Sequence, residues 1–192
     1  MFAQVYYYYS AMNVGKSTSL LQSSYNYNER GMETLLLKSA VDQRVGPSTI
    51  ASRIGLSSDC HEFTNDTELF EFISNIHSQK GLACVFVDEC QFLTEAQVRH
   101  LCTVADDLDV PVLCYGLRTD FQGNLFEGSK ALLALADGIH ELKTICHCGK
   151  KATMNLRMGP EGKAVKEGAQ VEIGGNERYV ALCRKHWMEA MK

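Results

Sequence analysis

Val5-Tyr6-Tyr7-Tyr8-Tyr9, followed by Ser10-Ala11-Met12-Asn13-Val14-Gly15-Lys16-Ser17, is the stretch on which the reading of this chain turns. The first five residues are β-branched or aromatic and suit a pleated strand. Ser10–Gly15 reads as a turn. A helix is then expected from Lys16 to Arg30, with Gly31 placed to stop it. The turn follows the pattern G-x-x-x-x-G-K-[ST], with Ser10 in place of the first glycine. That layout suits a bound phosphate: consecutive backbone N–H groups converge on the anion, and Gly15 lets the chain come close. Lys16 would bring charge to the β and γ phosphates of ATP. The Ser17 hydroxyl would ligate Mg²⁺, and the helix would turn its positive end to the anion. A G-K-S-T run at a helix start also arises by chance; the strand before it and the helix after it are the context the motif requires.

A second acidic motif supports the first. Leu82–Val87 is an apolar strand that ends in Asp88-Glu89-Cys90-Gln91. In parallel sheets, ligands gather at the carboxyl ends of strands, which would bring Asp88 near Ser17 and the Mg²⁺. Glu89 would then face the reacting centre as a base or as a group that positions water. An acidic surface turn is the plainer reading of the same residues when they are taken alone.

Around these motifs, helical and strand patterns alternate. Thr34–Leu37 reads as a short buried strand. Val41–Asp59 has no clear periodicity and reads as a loop. Leu69, Phe72, Ile73 and Ile76 fall on one helical face within Glu68–His77. Thr94 and Gln97 form a capping-box pattern at the head of a helix to Leu108. Val110–Tyr115 is another apolar strand, and Ser129–Ala136 a further helix. The alternation predicts an α/β fold, a mostly parallel sheet covered by helices on both faces. With the phosphate loop, that is a P-loop domain of the RecA-like kind, over residues 1–142.

After Leu142 the pattern changes to cysteine, glycine and short β-prone pieces. Cys146-His147-Cys148-Gly149 and Cys183-Arg184-Lys185-His186 flank a β-prone segment. Two such knuckles make a zinc ribbon: Cys146, Cys148, Cys183 and His186 as four protein ligands of a closed, structural Zn²⁺ site. The first knuckle is C-x-C rather than C-x-x-C, and His147 could replace one of the cysteines. Residues 143–192 are expected as a separate small domain. The other cysteines, Cys60, Cys84, Cys90, Cys102 and Cys114, lack such pairing; Cys84 and Cys114 lie in apolar strands and read as core.

The chain has 192 residues, 45% of them hydrophobic, and a net charge of −4. It can bury a core without disulfides. The acidic balance argues against a nucleic-acid partner, though not against a local basic groove. No apolar run is long enough for a membrane span. The N-terminus lacks the charged and apolar regions of a signal peptide, so reduced cysteines in the cytoplasm are expected.

Taken together, these residues resemble the cytosolic, zinc-containing thymidine kinases of bacteria, over essentially the whole chain. The resemblance is carried by Tyr8–Thr18, Val87–Phe92, Cys114–Phe121, the C-x-C-G knuckle and Ile173–Tyr179. It implies transfer of the γ-phosphoryl of ATP to the 5′-hydroxyl of thymidine, giving TMP and ADP. It makes Glu89 the base for that hydroxyl, Phe121 a stacking partner of thymine, and Leu117 and Phe126 walls of the pocket. Tyr179 would contact the nucleoside. A lasso loop at about Leu156–Gly175, including Val171, Glu172, Ile173, Gly174 and Gly175, would cover the base and bind it mainly through backbone groups. Asp42 and Arg44 match a polar pair near the phosphates, Asp88–Gln91 line the ATP side, and Gln91 sits beside the base. A homotetramer is implied in the same way. Two other classes fit parts of the pattern. Asp88-Glu89-Cys90-Gln91 also resembles the D-E-x-x motif of nucleic-acid-dependent ATPases, but 192 residues are too few for two motor lobes. A nucleotide-binding regulator without catalysis is the third, and Glu89 argues against it.

Overall fold

The protein is seen as a computed structural model in which residues 2–43, 45–171 and 178–192 are described. The first part of the chain runs β1 (Val5–Ser10), α1 (Lys16–Asn28), β2 (Thr34–Ser39), β3 (Thr49–Ala51), β4 (Ser57–Asp59), β5 (His61–Phe63) and α2 (Leu69–Lys80). It continues through β6 (Cys84–Asp88), α3 (Glu95–Leu108), β7 (Val112–Leu117), α4 (Glu127–Leu135) and β8 (Gly138–Glu141). Six of these strands form one sheet in the order β5-β2-β6-β7-β1-β8. All its pairings are parallel.

A parallel sheet is covered on both faces, which is why its central strands are continuous apolar runs rather than alternating ones. The pleat divides each run between two layers. Leu35, Leu37, Val85 and Val87 pack with residues of α2, α3 and α4. Leu36, Cys84, Phe86 and Tyr115 pack with Leu20 and Leu21 of α1 on the other face. Cys84 and Cys114 are fully buried, as their places in apolar strands predict. Burial pushes the Cys84 thiol up to about 12, so it is an inert core group.

The capping box forms as read. Gln97 N–H donates to Thr94 Oγ1 at 3.1 Å, and Thr94 N–H donates to Gln97 Oε1 at 3.2 Å. The Gln97 amide also donates to the carbonyls of Thr64 and Thr67, tying α3 to the turn before α2.

Val41–Asp59 is not wholly a loop. Its second half is an antiparallel hairpin in which β3 pairs with β4 around a turn at Gly55, φ 89°. Only Ile50 of this hairpin is buried, so neither strand carries the apolar alternation that would mark it. The edge strands β5 and β8 also lie outside the expected elements. Each is short, and their burial is too uneven to leave a period in the sequence.

Beyond β8 the chain forms two small antiparallel pairs: β9 (Thr144–Ile145) with β10 (Lys151–Ala152), and β11 (Met154–Arg157) with β12 (Tyr179–Leu182). Helix α5 (Arg184–Ala190) follows. Cys146, Ala152, Leu156, Leu182 and Cys183 make a cluster of their own, joined by Trp187.

Candidate active site

Strands β1 and β6 are separated in the sheet by β7, and their carboxyl ends open on the same edge. The loop after β1 turns through left-handed conformations at Asn13 (φ 65°) and Gly15 (φ 86°) and delivers the chain into α1. Lys16 folds back along this loop, donating to Ser10 Oγ and to the Ala11 carbonyl, both at 3.1 Å. Ser17 Oγ donates to Asp88 Oδ2 at 2.9 Å. A hydroxyl and a carboxylate brought this close, both hard oxygen donors, fit Mg²⁺. Asp42, in the turn after β2, is buried at the same cavity.

Glu89 follows Asp88 in a left-handed backbone conformation, φ 51°. Such a conformation in a non-glycine residue costs about 1–3 kcal/mol and persists only where its surroundings enforce it. Here they do. Gln91 Nε2 donates to Glu89 Oε2, and Gln91 Oε1 accepts from Leu117 N–H at 3.0 Å, so one amide joins the acid to β7. The turn from Cys90 to Phe92 is also pressed between two glycines. A Cβ on Gly128 would stand 2.4 Å from the Cys90 carbonyl oxygen, and one on Gly116 would stand 2.6 Å from Cys90 Sγ. Any larger residue at either place would displace the turn that carries Glu89.

From this point a cavity of about 640 Å³ runs across the sheet edge. Its lining brings together Met12–Ser17, Asp42, Glu89 and Gln91 with Leu117, Phe121, Phe126, Val171 and Tyr179. Ser10, Ala11 and Asp88 are buried and are not among its lining residues. Cys90 does not line it: its side chain is wholly buried with the core around Cys114. Arg44, Glu172, Ile173, Gly174 and Gly175 lie outside the described residues.

The expected loop at about Leu156–Gly175 begins later than read, because Leu156 and Arg157 belong to β11 and are buried. Two polar residues of that strand, neither singled out in the sequence, make contacts here. The Arg157 guanidinium lies 3.8 Å over the Phe121 ring. Its Nε donates to Tyr179 Oη at 2.7 Å, and Nη2 donates to the Gln170 carbonyl at 3.2 Å. Asn155 Oδ1 accepts from Met12 N–H at 2.7 Å, and Asn155 Nδ2 donates to the Thr119 carbonyl at 3.0 Å. Asn155 and Arg157, polar at alternate positions of a short strand, are the trace they leave in the sequence: one face of β11 is turned to polar partners rather than to the small core.

Cys146, Cys148, Cys183 and His186 bring their ligand atoms within 4.8 Å of one another. Cys146 Sγ and Cys183 Sγ each lie 3.4 Å from His186 Nδ1, and Cys148 Sγ lies 3.9 Å from Cys183 Sγ. Zinc–sulfur bonds near 2.3 Å in a tetrahedron put ligand atoms about 3.5–3.8 Å apart, so the set is compatible with zinc. His147 is not one of the four; its ring packs on that of His186, with centroids 4.3 Å apart. Burial acts to raise the Cys146 thiol. Hydrogen bonds from the backbone N–H groups of Cys148 and Cys183, and one with His186, outweigh it and lower the thiol to about 6.

A parallel six-stranded sheet with helices packed on both faces makes the chain an α/β protein, with its cavity at the loop after β1. The thymidine kinase family model matches residues 3–187, and the chain belongs to the thymidine kinase family. It is 59% identical to a thymidine kinase of Shewanella oneidensis, over 97% of each chain. It is also 59% identical to one of Yersinia pseudotuberculosis, over 99% of this chain and 97% of the relative, and to one of Novosphingobium aromaticivorans, over 98% of each.

Proposed function

We propose that the cavity holds ATP and thymidine end to end and transfers the γ-phosphoryl group to the nucleoside 5′-hydroxyl. The observation that carries this reading is the position of Glu89. It lines the same cavity as Lys16 and Ser17, and as Leu117, Phe121 and Tyr179. The phosphates of ATP rest on the backbone of the Ser10–Ser17 loop, at the positive end of α1. Lys16 leaves Ser10 Oγ and the Ala11 carbonyl and turns to the β and γ oxygens. Ser17 and Asp88 would hold Mg²⁺, which supplies further neutralisation of phosphate charge. Asp42 and Arg44 complete the polar end.

The thymine ring stacks on Phe121, between Leu117, Phe126 and Tyr179, and the segment through Val171 and Glu172–Gly175 covers it. Glu89 accepts the 5′-hydroxyl proton as the new O–P bond forms and the bond between the γ-phosphorus and the β–γ bridging oxygen breaks. ADP leaves with the electron pair. Positioning and charge stabilisation supply most of the acceleration in such a transfer. Gln91 holds the carboxylate of Glu89 in place and Cys90 anchors the turn from behind. Cys146, Cys148, Cys183 and His186 would hold Zn²⁺ in a structural role, since four protein ligands would leave no position for water. The family likeness further supports a homotetramer, and the unpaired cysteines support a reducing compartment such as the cytoplasm; no helix among the described residues is long and apolar enough to cross a membrane.

The test is ATP consumption by the purified enzyme with thymidine, with single-stranded DNA, and with neither. Consumption that requires thymidine and yields TMP supports the reading. Consumption driven by DNA alone would replace it with that of a nucleic-acid-dependent ATPase.

A further inference from the structure

Strand β11 reaches the loop after β1 and the Phe121–Tyr179 pair from one face. Asn155 and Arg157 are two residues apart, so the pleat turns them to the same side, about 6.8 Å apart along the strand. Leu156 between them points the other way, into the small core of the C-terminal sheets. Both polar residues are almost fully buried, at 2% and 3% exposure. Arg157 grips the nucleoside end through the Phe121 ring, Tyr179 Oη and the Gln170 carbonyl. Asn155 grips the phosphate end, where its Oδ1 takes the Met12 N–H of the loop after β1. The same amide reaches Thr119, two residues before Phe121, and the Asn155 carbonyl accepts from Trp187 Nε1 at 3.1 Å. A second and longer link runs in parallel, from Asn13 Nδ2 to the Tyr179 carbonyl at 3.4 Å.

We infer that Asn155 is a positioning residue that couples the nucleoside subsite to the phosphate loop, so that thymidine binding tightens nucleotide binding through β11. The inference rests on the two-subsite reading of the cavity given above. A nucleoside packed on Phe121 and Tyr179 restrains the groups that Arg157 holds, and with them β11, which is paired along its length to β12. Asn155 is fixed to that strand and bonded to a backbone amide of the phosphate loop. Restraining the strand therefore restrains Met12, and the nucleotide finds part of the ordering of its loop already done. That is positive coupling, and it is reciprocal: nucleotide must tighten thymidine by the same factor. Met12 N–H also acquires a defined role. It is engaged by Asn155 rather than offered to phosphate, and the cradle is left to the amides that follow it.

The test is calorimetric titration of ADP into the full-length, zinc-loaded enzyme with and without saturating thymidine. In the wild type, thymidine is expected to tighten ADP by a factor in the usual range for coupled sites, about 5- to 150-fold. Asn155→Leu keeps the volume and removes both side-chain hydrogen bonds; each ligand should still bind alone, with the factor falling towards one. Asn155→Asp keeps the acceptor for Met12 N–H and should regain much of the factor. A second readout does not depend on the variants: hydrogen exchange at the Met12 amide should slow when thymidine alone is added. A factor of one in the wild type, an unchanged factor in Asn155→Leu, or Met12 exchange indifferent to thymidine would each overturn the inference. Where thymidine binds and the factor is one, the inference alone fails. Where thymidine does not bind, the reading of the nucleoside pocket fails with it.

Discussion

Glu89 is held by its backbone and by its neighbours at once. The left-handed turn at φ 51° aims the carboxylate, and Gln91 fixes its oxygen. Glu89→Gln can still present a carbonyl oxygen to the Gln91 amide, but it takes no proton at neutral pH. Thymidine KM is therefore expected to change little, while kcat falls by about 10²–10⁴-fold, the usual worth of a general base. Steady-state kinetics checks this; a raised KM with kcat unchanged would make Glu89 a uniform binding group. Lys16→Ala should cost on the order of 10²-fold or more in turnover by removing charge stabilisation at the transferring phosphoryl, with the circular dichroism spectrum retained. These residues were legible in the sequence because each stands at a fixed offset from a strand end. Asn155 and Arg157 were not. Their partners, Met12, Thr119, Phe121 and Tyr179, are brought to them by tertiary packing, and no local spacing encodes that.

At the level of elements, strength of pattern decided what could be read. β1, β6 and β7 are unbroken apolar or aromatic runs, and α3 announces itself with a capping box whose two hydrogen bonds both form. Thr94→Ala removes one partner of that box. It should lower stability by about 1 kcal/mol, or about 2–4 °C in Tm for a chain of this size, as read by thermal unfolding. The β3–β4 hairpin and the edge strands are three or four residues long. Their pairing partners, not their own sequences, make them strands.

The C-terminal sheets have a small core, so a metal ion held by Cys146, Cys148, Cys183 and His186 would carry much of their stability. Trp187, the chain's single tryptophan, donates to the carbonyls of Phe121 and Asn155 and so joins α5 to the cavity. Cys183→Ser should lower bound zinc, as read by elemental analysis, and alter Trp187 fluorescence. Protons compete with zinc in a definite direction. Against the effect of burial, hydrogen bonds from the Cys148 and Cys183 backbone and with His186 lower the Cys146 thiol from its ordinary value, which favours the thiolate as a ligand. Despite a hydrogen bond from the Lys150 backbone, burial and the neighbouring thiols push Cys148 the other way. Zinc affinity should therefore fall as pH drops and the thiolates take up protons, a trend that zinc titration with a chromogenic chelator reads directly.

For the molecule as a whole, the parallel sheet sets up a cavity that Lys16, Ser17 and Glu89 line together with Leu117, Phe121 and Phe126, and on the proposed reading the choice of nucleoside belongs to the apolar residues. Thymine offers an acceptor at O4 and a donor at N3; cytosine reverses both. A base pocket lined by backbone groups presents a fixed pattern, and each buried group left unpaired costs about 1–3 kcal/mol. Two such groups amount to roughly 2–6 kcal/mol, or about 30-fold to more than 10⁴-fold in kcat/KM. Deoxyuridine lacks only a methyl group, worth about 10-fold or somewhat more. The most direct measurement is the transfer of label from γ-labelled ATP to thymidine, deoxyuridine, deoxycytidine and the purine deoxynucleosides, with kcat/KM for each. The expected result is label on the 5′-phosphate of thymidine, deoxyuridine close behind, and deoxycytidine and the purines very poor. Comparable kcat/KM for deoxycytidine and thymidine, or no label on thymidine, would contradict it.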